Sequence, residues 1–483
     1  MRDIKMSFWK ENNMEKLITF NDVILLPGWS SIEPKDPDIS SRITLNHKLV
    51  LPFVSSPMDT VTEEEMAIEL ARHGGLGVIH RNCTKEEAVN MTRKVKRAES
   101  FIISEVFTIK PGESVKSATE LMNLHNVHGL PVLNDNENLI GIVTWRDIRF
   151  ADDKLKVEDV MTKDVITATE EVSLDDAKTL LHKHRIEKLP IVDSITGKLK
   201  GLITIKDILL KGKYPHAVRD EDGRLLCAAA ISPFDLERAK ALDKYADILV
   251  IDVAHFHNVN CFKGTKEILN SVSADVIVGN IGTYAAAVDV LSRLEGIAGL
   301  RVGIGSGSIC STSMVTRAGS PTLYATLQVA KATAELGNDI PICADGGIKN
   351  SGDIAVALAA GASAAMMGNI FAGCRESPGR LIALEGKYYK QYYGMGSMAA
   401  RKKRFSFDRY SQPSKEIAEG VEGFVPYRGT ISDVINELAG GLKAALGYVG
   451  ARDLNELKQK AHFGLLTPAG MQEMQPHDII TPK

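Results

Sequence analysis

The chain has 483 residues, a net charge of −3 and six cysteines. That length exceeds one ordinary domain and suits a large barrel carrying an insertion. The small, mixed charge leaves no electrostatic footprint for nucleic acid or an anionic membrane, so small-molecule partners are favoured. Cys83, Cys227, Cys261, Cys310, Cys343 and Cys374 lie far apart with no CxxC pair, which argues against a disulfide framework or a thiolate metal site and for a reducing compartment. The polar stretch "MRDIKMSFWKENNMEK" lacks the apolar core of a secretory signal, and no later run offers about eighteen apolar residues, so a soluble cytoplasmic protein is expected.

In chain order, short apolar runs each end in a glycine-rich or polar turn before a helical pattern: "LVLPFVSSPMDT", "GGLGVIHRN", "ADILVIDVAH", "ADVIVGNIGT", "GLRVGIGSGS", "PICADGGI" and "AAMMGNIFAG". Continuous apolar runs of this length suit parallel strands covered on both faces, which need crossover helices. After the first run, Thr62 and Glu65 predict a capping box. Met66, Ala67, Leu70 and Ala71 then give one apolar face, and Gly74-Gly75 a stop. The repeated strand-helix rhythm favours an α/β fold of the (β/α)8 TIM-barrel type over an open doubly wound sheet, with the chemistry in the loops after the strands.

The rhythm breaks between residues 99 and 213, where "HNVHGLPVLNDNENLIGIVTWRDI" and "HRIEKLPIVDSITGKLKGLITIKDI" form an internal repeat. Each copy ends in Thr-x-x-Asp, at Thr144/Asp147 and Thr204/Asp207. The repeat resembles a tandem pair of cystathionine-β-synthase-type (CBS) domains, a Bateman module, over about 99–154 and 158–213. The resemblance implies adenine or guanine nucleotide binding, with each Thr and Asp facing a ribose. The barrel would then occupy 14–98 and 214–483.

"GIGSGSICSTS", residues 303–313, surrounds Cys310 with three glycines and four serines. Gly303, Gly305 and Gly307 let the backbone approach a ligand closely, and Ser308 and Thr312 add hydroxyls. Following an apolar strand, the loop places the thiol at the functional end of a barrel, where it could cradle an anion, coordinate a cation through carbonyls and present a thiolate. "ADGGI" sets Asp345 beside Gly346-Gly347, a carboxylate for ribose and a backbone nest for phosphate. "MMGN" adds Gly368 and Asn369 at a late strand end, where barrels commonly bind phosphate.

These motifs, with "SSPMDTVTE", "YGMGS", "DRY" and "EGVEGFVPYRG", resemble the inosine-5′-monophosphate (IMP) dehydrogenases of archaeal type, from about Lys16 to Pro482. The resemblance implies NAD-dependent oxidation of IMP to xanthosine monophosphate (XMP), in homotetramers, with an octamer left as the alternative. It implies that Cys310 attacks purine C2 and Thr312 assists proton transfer, and that a mobile flap over 399–418 activates water through Arg409 and Tyr410. Ser308, Gly347, Gly368 and Tyr392 would hold phosphate and Asp345 ribose, while Ser56, Met58, Met395, Gly396 and Glu419 would surround the base. Asp252 and Asn280 would lie on the cofactor and purine side of the pocket, near Gly303 and Gly305. Carbonyls of Gly305, Gly307 and Cys310 would bind potassium, completed by Glu473, Met474 and Gln475 of a neighbouring subunit.

Four positions depart from the pattern: Ser306 for proline, Ser313 for arginine, Thr322 for glutamine and Phe256 for a small residue. The Phe256 ring is expected beside Asp252, where it would disturb the nicotinamide side. His255 and His257 without further ligands suggest hydrogen bonding rather than a metal. The basic run Arg401 to Arg404 is expected to be a solvated flap face. Guanosine monophosphate (GMP) reductase is the nearest alternative, but its pattern has a glutamate where this chain has Met398, and it lacks the Arg-Tyr pair. A catalytically silent nucleotide sensor on the same fold is a further alternative.

Overall fold

The computed structural model describes residues 15–98, 102–103, 106–397, 400 and 420–476. Eight parallel strands close into a barrel: β1 (Phe53–Ser55), β2 (Leu76–Ile79), β3 (Ala228–Ile231), β4 (Ile248–Ile251), β5 (Asp275–Ile281), β6 (Gly299–Val302), β7 (Ile342–Asp345) and β8 (Ala364–Met367). Closure runs through β1, which pairs with β2 at Val54↔Leu76 and with β8 at Val54↔Met366. Outside the strands lie α1 (Glu64–Arg72), α2 (Lys85–Arg97), α3 (Leu236–Leu242), α4 (Val259–Leu269), α5 (Tyr284–Arg293), α6 (Thr322–Glu335), α7 (Ser351–Ala359) and α8 (Ile431–Val449).

The apolar runs are continuous because both faces of each strand are covered. Val54, Leu76, Val78, Ala228, Ala230, Ile248, Val250, Ile277, Cys343, Ala364 and Met366 belong to one core, into which Ile43, Leu49, Val218 and Leu226 also pack. Their alternates Phe53, Ala365 and Met367 join the core that contains Met66, Leu70 and the buried faces of α7 and α8. This inside-outside alternation is the side-chain period of a strand. Small residues are needed where helix meets strand: a Cβ on Gly77 would overlap Ala67 of α1.

α1 buries Met66, Ala67, Leu70 and Ala71 as the pattern requires, and Gly74 follows with φ +96°. Its start differs from the expected capping box. Glu63 is the N-cap and offers no side-chain cap, whereas the fully buried Thr62 hydroxyl donates to the Ser56 carbonyl at 2.7 Å and lies 2.8 Å from Ser55 Oγ. A hydroxyl carried into the interior must take a buried acceptor there, and it is therefore lost to the helix terminus.

The chain divides into two compact units, one of 1–96, 216–220 and 225–483, the other of 97–215 and 221–224. Within the second, hairpins Gly129–Leu133/Leu139–Thr144 and Lys188–Val192/Leu199–Thr204 repeat one register. Leu130 faces Val143 as Leu189 faces Ile203, and each ladder shifts near its turn. Helices Val115–His125 and Leu174–His184 precede the two hairpins, and each copy has its own apolar core.

Thr62→Val should lower unfolding free energy by about 1–3 kcal/mol, the cost of leaving buried acceptors without a donor. Urea denaturation measures this, and a value within error of the parent would show that the hydroxyl contributes nothing to the β1 loop.

Candidate active site

Loops after β6, β7 and β8 meet at the C-terminal ends of the strands and enclose a cavity of about 460 Å³. That volume lies within the range of small-molecule sites. The β6 loop is anchored at its root by paired backbone bonds between Ile304 and Ser320, at 3.1 and 2.9 Å. It then turns through Gly307, whose carbonyl accepts from Cys310 N at 3.0 Å, into the short helix Thr312–Thr316. Gly303 has φ +130°, and a Cβ there would strike the Asp345 carbonyl and the Thr322 hydroxyl.

Cys310 is exposed, with Sγ 3.3 Å from Thr312 Oγ1, and the other five cysteines are buried. Burial pushes the thiols of Cys227 and Cys374 up to about 12, which keeps them protonated at neutral pH. Cys310 is therefore the thiol placed to act as a nucleophile. Gly303, Gly305, Gly307, Ser308 and Thr312 share the cavity wall with it.

The same cavity is lined by Asp345, Gly347, Gly368, Asn369 and Tyr392. A Cβ on Gly368 would lie 2.6 Å from the Tyr392 hydroxyl, so only glycine admits this packing. Burial raises the Tyr392 pKa, against a lowering hydrogen bond from Ser308, and keeps the phenol a donor. Asn369 Nδ2 reaches Ser308 Oγ at 3.5 Å, joining the β8 and β6 loops. Ser56, Met58, Met395, Gly396 and Asn280 complete the predicted set on the wall.

Arg301 was not singled out by any motif, yet it organises the floor. It is almost wholly buried on β6, with Nη1 2.8 Å from Asp252 Oδ1 and Nε and Nη2 each 2.9 Å from Asp345 Oδ2. Burial opposes its charge, but Asp345 and Asp252 outweigh burial and hold its pKa above the ordinary arginine value. Asn280 Nδ2 also donates to Asp345 Oδ2 at 2.8 Å and to the Gly303 carbonyl at 2.7 Å. These bonds all fall on Oδ2, which leaves Oδ1 of a cavity-lining carboxylate for a ligand. The alternation of β6 buries Arg301 beside apolar neighbours; an arginine in "GLRVG" was the available signal. Lys349 and Arg428 line the cavity too and were likewise not anticipated.

Several predicted positions fall elsewhere. Asp252 is fully buried beneath the cavity, bound to Arg301, with Arg81 Nε at 3.5 Å, and does not line the wall. Phe256 does not lie beside the cofactor side as expected. Its ring is fully buried 5.3 Å from the Phe262 ring of α4 and absent from the wall, because the aromatic pair buries apolar surface together. His257 Nε2 bonds Asp289 Oδ2 at 2.7 Å, a hydrogen-bonding role as expected.

Glu473 ends the helix Pro468–Glu473, Met474 caps it and Gln475 follows, and none of the three lines the cavity. In the second unit, Thr144 donates from N and Oγ1 to Asp147 Oδ2, both at 2.7 Å, so this pair caps its own helix. Thr204 ends the second hairpin, and the Asp207 side chain is not among those described. Arg409, Tyr410, Glu419, Met398, the run Arg401–Arg404 and all of 399–418 but Ala400 lie outside the described residues.

The assembly is an eight-stranded α/β barrel presenting one exposed thiol and an anchored carboxylate at its C-terminal face. A family model described as "IMP dehydrogenase / GMP reductase domain" matches residues 17–477. The inosine-5′-monophosphate dehydrogenase of Korarchaeum cryptofilum is 53% identical, with 97% of this chain and 98% of that protein covered. That of Methanocaldococcus jannaschii is 48% identical, with 96% of each covered. Among solved structures, a Trypanosoma brucei GMP reductase variant in complex with guanosine 5′-monophosphate superposes with a TM-score of 0.88 at 36% identity, covering 97% of this chain and 99% of that one. The chain belongs to the IMP dehydrogenase / GMP reductase family.

Arg301→Lys should destabilise the protein by about 3–5 kcal/mol, because one ammonium cannot serve two buried carboxylates held by a guanidinium fork. Urea unfolding measures the loss, and parent-like stability would show that Asp252 and Asp345 do not depend on Arg301.

Proposed function

We propose that the protein is an NAD-dependent IMP dehydrogenase of guanine-nucleotide synthesis, acting through a covalent adduct on Cys310. The observation that carries the proposal is Cys310 itself, the one exposed cysteine, on the wall of a nucleotide-sized cavity that is also lined by a carboxylate anchored through Oδ2. The names of the curated relatives support IMP as substrate. The purine nucleotide bound by the trypanosomal relative supports the same ligand class.

Asp345 Oδ1 would accept from the ribose hydroxyls. Ser308, Gly347, Gly368, Asn369 and Tyr392 would take the phosphate through hydroxyl, amide and backbone donors. Ser56, Met58, Met395, Gly396 and Glu419 would enclose the base. The Cys310 thiolate adds to C2 and makes it tetrahedral, with Thr312, 3.3 Å from Sγ, assisting movement of the thiol proton. Hydride then leaves C2 and a thioimidate remains on Cys310. Water adds to that carbon, activated by Arg409 and Tyr410 of the 399–418 flap, and the C–S bond breaks to release XMP and the thiol.

NAD, when bound, supplies the hydride acceptor. The residues present fit it: Asn280 lines the cavity, and its buried Oδ1 has no partner among the described residues, an acceptor that an amide N–H would satisfy. Gly303 and Gly305 lie on the same wall, and Asp252 would act through Arg301. Potassium fits the carbonyl set as well. The Gly307 carbonyl accepts one bond, from Cys310 N, and that of Gly305 a long one from Ser313 Oγ at 3.4 Å, so each retains a lone pair. Cys310 O and Glu473, Met474 and Gln475 of a neighbouring subunit in a homotetramer would complete the site.

The inserted unit would be a CBS pair over 99–213 that binds adenine or guanine nucleotides near Thr144, Asp147, Thr204 and Asp207. The enzyme would work in the cytoplasm. The trypanosomal neighbours make GMP reductase the second reading; Met398 and the Arg409-Tyr410 pair favour the dehydrogenase.

Purified protein with IMP, NAD and potassium should form NADH and XMP, and GMP with NADPH should give no turnover; the reverse would establish the reductase. Cys310→Ala should abolish NADH formation while IMP still binds in calorimetry, and appreciable steady turnover by this variant would sink the covalent route.

Arg409→Ala separates the two chemical steps. Rapid mixing should show one NADH per site followed by slow turnover, with purine trapped on Cys310 by acid. If the burst falls in step with turnover, the segment acts before hydrolysis and the flap assignment is wrong.

A further inference from the structure

Ser306, which lines the cavity, and Thr322, which does not, converge on the Asp345 carbonyl. Thr322, the first residue of α6, is 2% exposed, and its hydroxyl donates to the Asp345 carbonyl at 2.8 Å. Ser306 Oγ lies 2.6 Å from Thr322 Oγ1 and 3.5 Å from the same carbonyl. Thr322 has one proton and gives it to Asp345, so Ser306 is the donor in the shorter contact. The space is made by missing side chains. A Cβ on Gly303 would overlap Thr322 Oγ1 and the Asp345 carbonyl, and one on Gly346 would lie 2.8 Å from Ser306 Oγ.

We infer that Ser306 and Thr322 form a hydroxyl brace that sets the position of the Cys310 turn relative to Asp345, and that they are positioning residues for attack on the substrate. Asp345 is then held at two points: the carboxylate by Arg301 and Asn280, the carbonyl by the brace. Ser306 is the last residue fixed from behind before the turn from Gly307 to Cys310. On the substrate-side reading given above, Asp345 anchors the ribose and Cys310 attacks the base, so the brace sets the distance between anchor and nucleophile. Removing it leaves both groups present and the ribose contacts unchanged, while the thiol samples positions out of line with C2. Such misplacement costs rate far more than binding.

The test uses full-length Thr322→Val, which keeps shape and removes the hydroxyl, Ser306→Ala, and Thr322→Ser, which keeps the hydroxyl. With saturating IMP and NAD, Thr322→Val and Ser306→Ala should each slow the NADH burst by about tenfold or more. The IMP dissociation constant from calorimetry should stay within about threefold, and Thr322→Ser should restore the burst rate. A burst rate unchanged in both variants overturns the brace, as does a loss matched by equal loss of IMP binding or one that serine does not repair. Iodoacetamide alkylation of Cys310 in ligand-free protein reads the loop without the reaction, since the other cysteines are buried. Its rate should shift several-fold in Thr322→Val, and an unchanged rate counts against the brace. If the parent forms no NADH from IMP, the dehydrogenase proposal fails, and the alkylation rates still decide whether the brace holds the loop.

Discussion

The site depends on one buried cation shared between two carboxylates. Arg301 is enclosed in the barrel at the end of β6, and its fork spans Asp252 just after β4 and Asp345 at the end of β7. Charges taken this far from water are tolerated only when paired and hydrogen-bonded, so the three positions form a single unit. The unit also orients Asp345. Bonds from Arg301 and Asn280 converge on Oδ2 and leave the other oxygen toward the cavity. A carboxylate rigidly held on one side and open on the other is a pre-organised acceptor, whose position is settled before a ligand arrives.

Around this floor, close approach is obtained by omission of side chains. Gly303 brings β6 against Asp345, and Gly368 admits the Tyr392 hydroxyl. Small hydroxyl residues then occupy what remains: Thr322 and Ser306 beneath the loop, Ser313 against Gly305, Thr312 beside the thiol. Ser306, Ser313 and Thr322, the expected departures from the family pattern, each make a hydrogen bond within or beneath the loop. The inserted unit shows the same economy. Its two hairpins repeat one register, and in the first copy Thr144 and Asp147 satisfy each other across a helix start.

The sequence by itself determined the barrel, the repeat and many members of the cavity wall, though not Arg301, Lys349 or Arg428. Continuous apolar runs encode strands covered on both sides, and glycine beside a strand end encodes close approach, so Cys310, Asp345, Gly347, Gly368 and Tyr392 could be named from local pattern and resemblance alone. Local signals misled where a side chain had a choice of partners. Thr62 has the spacing of a helix cap but is buried against Ser56, and Phe256 sits in a polar loop but packs against Phe262 of α4. Only the tertiary structure decided that Asp252 serves Arg301 rather than the cavity, that Arg301 joins two strands, and that Ser306 meets Thr322 sixteen residues on. The reason is physical. Strand and helix periods are written in neighbouring residues, whereas the pairing of buried charges and hydroxyls depends on which chain ends the closed barrel brings within hydrogen-bond distance.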